Sequence, residues 1–168
     1  MLTLETMLIR IAAAALLGAV IGLERELVGK EAGIRTDILV SAGAAIFSVV
    51  GLILPYLGAY DITNIEHLLK IIETSRGFSV IAGIVTGVGF LGAGLILKHK
   101  NHVSGVTTAA SVWFVAAVGM LSGLGLLKLA AISAVGVSFI LYILRKIDFF
   151  DLINKKQRRK QFEEDGID

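Results

Sequence analysis

Five long runs of apolar residues alternate with short polar segments along the chain. A helix rises about 1.5 Å per residue, so roughly 20 apolar residues cross the hydrocarbon core of a bilayer. Spans are predicted over residues 4–23, 38–57, 78–97, 106–124 and 126–144. The pattern predicts an all-α polytopic membrane protein, with a five-helix transmembrane domain over 1–145 and a basic amphipathic tail over 146–168.

Two short segments between the spans also carry a structural signal. Residues 123–125 predict a tight turn that makes the fourth and fifth spans an antiparallel hairpin. Between the second and third spans, Thr63 and Glu66 have capping-box spacing, and apolar residues recur at helical intervals over 62–72. That segment predicts a short amphipathic helix on the outer face of the membrane.

The composition agrees with a membrane protein and excludes some kinds of site. The chain is 55% hydrophobic and 18% charged, its mean hydropathy is +0.82, and no acidic residue occurs between Glu73 and Asp148. A soluble protein could hardly keep a solvated surface over such a span. No positively charged region precedes the first apolar run, so a retained helix is expected there and not a signal peptide. Without cysteine, disulfides and thiolate metal sites are excluded.

Lysine and arginine are distributed asymmetrically between the two ends of the predicted spans. The 24–37 loop, the 98–105 loop and residues 145–168 hold three, two and seven of them, whereas the opposite side holds three. Basic loops stay cytoplasmic. The asymmetry predicts an outer N-terminus and a cytoplasmic C-terminus, which requires an odd number of spans. Anionic lipid would attract the basic tail, whereas nucleic-acid binding has no supporting motif.

Glycines spaced four residues apart are the strongest packing signal. They occur on the first, third and fourth spans as Gly18 and Gly22, Gly83 and Gly87, and Gly119 and Gly123. Such pairs let neighbouring backbones approach closely, although some of these glycines could instead line a pore or hinge. We expect a homodimer through the third or fourth span.

One glycine cluster matches the dinucleotide-binding fingerprint by its letters. Gly87, Gly89 and Gly92 have the required spacing, but they lie inside an uncharged span with no acidic residue some twenty positions on. Nucleotide binding is therefore rejected. With Gly94, the cluster predicts helix distortion or very tight packing near the middle of the membrane.

The first cytoplasmic loop is the part of the chain richest in charge. Gly33 could end an extended first helix, and Thr36 or Asp37 could cap the second. The loop can be interpreted as a solvated basic loop with ordinary caps. The functional interpretation is a buried ionic cluster at the cytoplasmic mouth of the bundle, formed by Glu24, Arg25, Arg35 and Asp37.

A few isolated polar residues remain. Arg10 lies inside the first span, where a charge is either functional or extends to the interface. Thr107 and Thr108 are expected to cap the fourth helix. His99 and His102 lack a third ligand nearby, so no metal site is predicted. No arrangement suits catalysis and no cofactor is expected, so the chain is predicted not to be an enzyme.

Three segments together resemble the MgtC/SapB family of bacterial membrane proteins. The first runs from Gly22 to Thr36, the second from Gly87 to Gly94, and the third from Val103 through Gly105, Thr107 and Thr108 to Trp113 and Gly119. The resemblance implies a five-span protein of the bacterial inner membrane. It also implies a role in adaptation to low magnesium, as a regulator of other membrane proteins.

The chain departs from the family pattern at two places. Ser104 stands where a basic residue is common, and residues 73–76 match the family's motif before the third span only with altered spacing. A soluble C-terminal domain of the ACT-like type, found in longer members, is not expected here. The leading hypothesis is a non-enzymatic regulator that binds a partner membrane protein. The alternatives are a magnesium or other cation transporter gated by the charged cluster, or a scaffold.

Overall fold

The computed structural model describes residues 3–57, 76–99 and 102–164. In this part of the chain, helices α1 (Leu4–Leu27), α2 (Ile34–Leu57) and α3 (Arg76–Leu95) are followed by a hairpin of β1 (Leu97–His99) and β2 (His102–Ser104). Helices α4 (Val106–Gly123) and α5 (Leu127–Glu164) complete the fold. The amphipathic helix predicted over 62–72 lies outside the described residues.

The helices confirm the prediction of an all-α polytopic membrane protein. Four segments in the described residues are long and apolar enough to cross a bilayer: Leu4–Leu27, Ile34–Ile53, Val106–Gly123 and Leu127–Ile147. The apolar part of α3, Ser79–Leu95, is shorter. The outer N-terminus and cytoplasmic C-terminus stay a prediction.

The helices extend further into the charged segments than their apolar runs. Helix α1 continues through Glu24, Arg25 and Glu26 to Leu27, because a helix satisfies its own backbone hydrogen bonds whether or not lipid surrounds it. Gly29 then takes a positive φ of 69°. Only residues 28–33 separate α1 from α2. At the other end of the chain, α5 continues without a break into the basic tail.

Helix α2 packs closely against both α1 and α4, which also contact each other. A Cβ on Gly18 or Gly22 of α1 would clash with the backbone of α2 at Asp37 and Ile34. A Cβ on Gly119 of α4 would likewise clash with the carbonyl of Ser41. The two glycine pairs of α1 and α4 therefore bring both neighbours into backbone contact with α2.

The glycines of α3 behave differently from those of α1 and α4. A Cβ on Gly83, Gly87, Gly89 or Gly94 would meet nothing within 4 Å, and one on Gly92 would touch Ala109 at an ordinary 3.5 Å. The expected tight packing of this cluster is not seen among the described residues. The α3 segment is also a regular helix, without the expected distortion.

The loop predicted between the third and fourth spans is a β-hairpin. Leu97 pairs with Ser104 and His99 with His102 in antiparallel register. Gly105, at the N-cap of α4, has a φ of 82°, and a Cβ there would clash with the carbonyl of Leu95. A residue with a side chain would be strained and obstructed at this position.

Candidate functional site

Polar side chains are buried where one end of α1 meets the beginnings of α2 and α4. Arg25 lies in the last turn of α1, Asp37 in the first turn of α2, Thr108 in the first turn of α4 and Glu31 in the loop between α1 and α2. Arg25, Asp37 and Thr108 are 3%, 0% and 2% exposed. We call these four residues the polar cluster.

A hydroxyl connects a buried arginine to a surface carboxylate within the polar cluster. Arg25 donates from Nη2 to Thr108 Oγ1 at 3.1 Å, and the Thr108 hydroxyl donates to Glu31 Oε2 at 2.9 Å. The Thr108 hydroxyl therefore accepts one hydrogen bond and donates its single proton to another. Thr108 thereby ties α1, α4 and the loop together.

The Glu31 side chain is the exposed member of the polar cluster. Its own backbone N–H and then the Thr108 hydroxyl hold the pKa of the Glu31 carboxyl below its usual range. Both donors stabilise the ionised form. At neutral pH Glu31 is therefore a hydrogen-bond acceptor at the rim of the cluster.

Asp37 lies deeper than the other members of the cluster and is unpaired. Both of its carboxylate oxygens are buried without a hydrogen-bond partner among the described residues, as is the Nε of Arg25. A Cβ on Gly22 would lie 3.0 Å from the Asp37 Cβ, so α1 covers the carboxylate closely. An isolated buried polar group of this kind is costly and requires a physical explanation.

The N-terminus of α2 is capped from outside the helix. The Ile34 N–H donates to Glu26 Oε2 at 3.0 Å, and Gly33 leaves room for this carboxylate, since a Cβ there would lie 2.8 Å from it. The expectation that Thr36 or Asp37 caps α2 is wrong, because both lie inside the helix. A carboxylate near a helix N-terminus also interacts favourably with the helix dipole.

The charged cluster predicted from the sequence is only partly assembled. Arg25 and Asp37 are buried together, whereas Arg35 is exposed and Glu24 is half-buried with a buried, unpartnered Oε2. Glu31 was missed because nothing in its sequence position distinguishes it from a solvated loop residue. Thr108 was expected to cap α4, but Gly105 occupies that position without a side-chain cap.

Arg10 lies at the opposite end of the bundle. Its Nη1 donates to the carbonyl oxygen of Gly123 at 3.0 Å, in the last turn of α4. The guanidinium also fills the space beside Gly125, where a Cβ would lie 2.6 Å from Nη2. Arg10 therefore satisfies a helix C-terminus and does not merely extend toward the interface.

An apolar groove of about 720 Å³ runs between α2 and α3. Its lining is apolar and includes three glycines, and it consists of Leu39, Val40, Gly43, Ala44, Phe47, Val80, Gly83, Ile84, Gly87, Val88 and Leu91. Leu39, Phe47 and Leu91 are exposed. We call this surface the α2–α3 groove.

The remaining candidate residues lie outside the polar cluster and the α2–α3 groove. Trp113 is 49% exposed on α4, and Thr107 is exposed beside the buried Thr108. Within the described residues, no group of three His, Asp or Glu side chains could hold a metal ion.

Comparison with known proteins places the chain in one family. The profile of the MgtC family matches residues 11–150. The chain is 37% identical to the putative magnesium transporter YhiD of Escherichia coli K12, over 88% of this chain and 64% of YhiD. It is 39% identical to the protein MgtC of Brucella abortus, over 82% of the chain and 50% of that protein.

Another relative extends the comparison to a distant bacterium. The protein SapB of Bacillus subtilis is 35% identical over 83% of this chain and 59% of its own length. The chain thus spans about half to two thirds of these relatives, and no solved structure matches it. The matched region contains the polar cluster and the α2–α3 groove, and the chain belongs to the MgtC family.

Proposed function

We propose that this chain is a non-enzymatic regulator of other proteins in the bacterial plasma membrane. It would act during adaptation to low magnesium by binding an apolar transmembrane helix of a partner protein. The observation that carries this proposal is the α2–α3 groove. The polar cluster is not required for this binding step.

The groove has the shape and chemistry of a helix-binding surface. Leu39, Gly43 and Phe47 follow one another four residues apart on α2, as do Gly83, Gly87 and Leu91 on α3. The eight residue steps from Leu39 to Phe47 correspond to about 12 Å of helix, or roughly two turns. Two parallel stripes of this kind can receive the ridge of a third helix.

Open glycines explain why a helix would be preferred over lipid at this surface. Among the residues that the structure describes, a Cβ on Gly43, Gly83 or Gly87 would meet nothing within 4 Å, although glycines elsewhere are in backbone contact. Close backbone approach is the main gain that membrane helices have over lipid contacts. An unfilled glycine face therefore favours a partner helix as the occupant.

Magnesium transport is the second candidate, and two observations favour it. A relative is named a putative magnesium transporter, and Asp37 presents two buried, unpartnered carboxylate oxygens, the ligand type that Mg²⁺ prefers. Against it, Arg25 lies beside Asp37 and contributes an opposing positive charge. The close contacts of Gly18, Gly22 and Gly119 with α2 also support a closed interior.

The test combines growth with flux. Gly87→Leu, which fills the groove, and Gly94→Leu, which adds the same side chain to α3 outside the groove, would be introduced into the native gene. We expect only Gly87→Leu to abolish growth in low magnesium, with both variants present in the membrane at wild-type amounts. Equal growth of the two variants would contradict the proposed role of the groove.

Purified protein in proteoliposomes distinguishes the two candidates. With a magnesium-sensitive dye inside the vesicles, we expect the wild type to give no more Mg²⁺ influx than empty vesicles. Influx that is lost in Asp37→Asn would establish transport instead. A single cysteine at Gly87, in a chain that has no other, would show by disulfide crosslinking whether the groove binds a second copy of this chain.

A further inference from the structure

Asp37 lies outside the α2–α3 groove, and its carboxyl can be either protonated or ionised. Asp37 is 0% exposed, and neither of its oxygens has a partner in the described part of the chain. A charged carboxylate in such a position would carry an uncompensated desolvation cost of several kcal/mol. The charge must therefore be paired, coordinated or neutralised.

The neighbouring side chains limit the ligands that could neutralise it. Arg25 is the positive group beside Asp37, but it donates from Nη2 to Thr108, and its Nε has no acceptor. A second cation would be repelled by Arg25, and an anion would be repelled by Asp37. The close approach of α1 at Gly18 and Gly22 leaves no room for a larger neutral molecule.

We propose that Asp37 is a proton-binding site, and that this structure represents its protonated form. A neutral carboxyl needs no ion pair, which leaves Arg25 free to bond to Thr108 and, through the hydroxyl, to Glu31. When Asp37 releases its proton, the carboxylate attracts Arg25 away from Thr108. The protonation of one buried group thereby controls a contact between α1, α4 and the loop at residues 28–33.

The groups that face Asp37 are few, so the proposed coupling can be assigned to named side chains. From α1, Arg25 is the charged neighbour of Asp37. From α4, Thr108, which does not titrate, bonds to that arginine. From the loop, Glu31 acts through the Thr108 hydroxyl. On α2 itself, Ser41 is buried one turn beyond and donates to the carbonyl of Ile38.

Infrared difference spectroscopy of the protein in lipid nanodiscs tests the proposal directly. A protonated carboxyl in an apolar site gives a C=O stretching band that an ionised carboxylate lacks. We expect this band in the wild type, in Glu24→Gln and in Glu31→Gln, and its loss in Asp37→Asn. Labelling aspartate alone with ¹³C should shift the band in the unaltered protein, which assigns it to an aspartic acid and not to a glutamic acid even if Asp37→Asn does not fold.

A second measurement follows the coupling to the loop. Amide hydrogen exchange of residues 28–33, corrected for its intrinsic pH dependence, should accelerate several-fold as the infrared band disappears with rising pH. In Asp37→Asn, which stays neutral, that acceleration should be absent. A wild type without an aspartic acid band at any pH at which it stays folded would overturn the proposal. A band with no change in loop exchange would refute the coupling.

Discussion

The guanidinium of Arg10 donates a hydrogen bond to the carbonyl oxygen of Gly123, 113 positions further along the chain. This contact joins the beginning of α1 to the end of α4, while Arg25 and Thr108 join the other ends of the same two helices. The two helices therefore run antiparallel, with one arginine contact near each end. An arginine that interrupts an apolar run is here a structural connection between two spans.

Removal of the Arg10 contact should destabilise the helix bundle. Arg10→Gln loses the charge at the C-terminus of α4, where a cation contributes up to about 2 kcal/mol in a partly buried position. We expect a lower thermal unfolding midpoint in detergent, measured by size-exclusion chromatography after heating. Lys128→Gln provides a matched control, because Lys128 is exposed near the same end of the bundle. Equal stability of the two variants would contradict a role for the Gly123 contact.

Loss of the hydroxyl at Thr108 should be more costly than loss of its neighbour's. Thr108→Val keeps the shape of the side chain but leaves Arg25 Nη2 without its acceptor, and a buried unsatisfied donor costs about 1–3 kcal/mol. Thr107→Val removes an exposed hydroxyl from the adjacent position and should cost little. Chemical denaturation of both variants in the same detergent measures the difference, and similar losses would argue against the bonding of Thr108.

The contribution of Glu31 to the stability of the folded protein should decrease at low pH. Its pKa is lowered from the usual 4.5, so the ionised carboxylate stabilises the folded protein above that pH. The stabilisation is lost as pH falls through the lowered pKa. Between about pH 4.5 and the pH at which Asp37 ionises, we expect the Tm difference between wild type and Glu31→Gln to be constant, and below about pH 4.5 we expect it to shrink. A difference that grows on acidification would show that the sign is wrong.

The lengths of the apolar runs were sufficient to predict the helices and most of their positions, because a bilayer permits few other arrangements of such runs. It could not predict the helix ends, which lie in charged segments where lipid imposes no constraint. Glu26 shows this limitation, since it caps α2 from a position eight residues before Ile34. That contact depends on how the loop at residues 28–33 folds back, and the spacing of residues along the sequence does not predict this.

The polar cluster was predictable only in part, for a related reason. Arg25 and Asp37 were two of the four charged residues predicted to form a cluster in the first loop, and both proved to be buried. Thr108 carries no charge, and its importance comes from contacts with residues 77 and 83 positions away. The glycines raised a similar difficulty, since identical spacing on α3 and α4 leads to an open surface in one helix and backbone contact in the other.

The contrast between these glycines leads to the most discriminating substitution series. Gly119→Ala places a Cβ against the Ser41 carbonyl, at a residue of α2 that Gly18 of α1 also approaches closely. Overpacking of this kind costs about 1–3 kcal/mol. Gly43→Ala and Gly136→Ala add the same methyl group at places where it would meet no other atom of the described residues within 4 Å outside the local helix backbone.

In those control variants, alanine should be neutral or stabilising, since it is better in a helix than glycine by about 1 kcal/mol. With all proteins purified in one detergent, the thermal midpoint of Gly119→Ala should therefore fall below that of the wild type. The midpoints of Gly43→Ala and Gly136→Ala should equal or exceed it. Gly119→Leu should reduce the amount of folded protein and not simply separate a dimer, because Gly119 already packs inside one chain. A folded, monomeric Gly119→Leu protein with wild-type stability would indicate that Gly119 packs at an interface between copies and not in the core of the bundle.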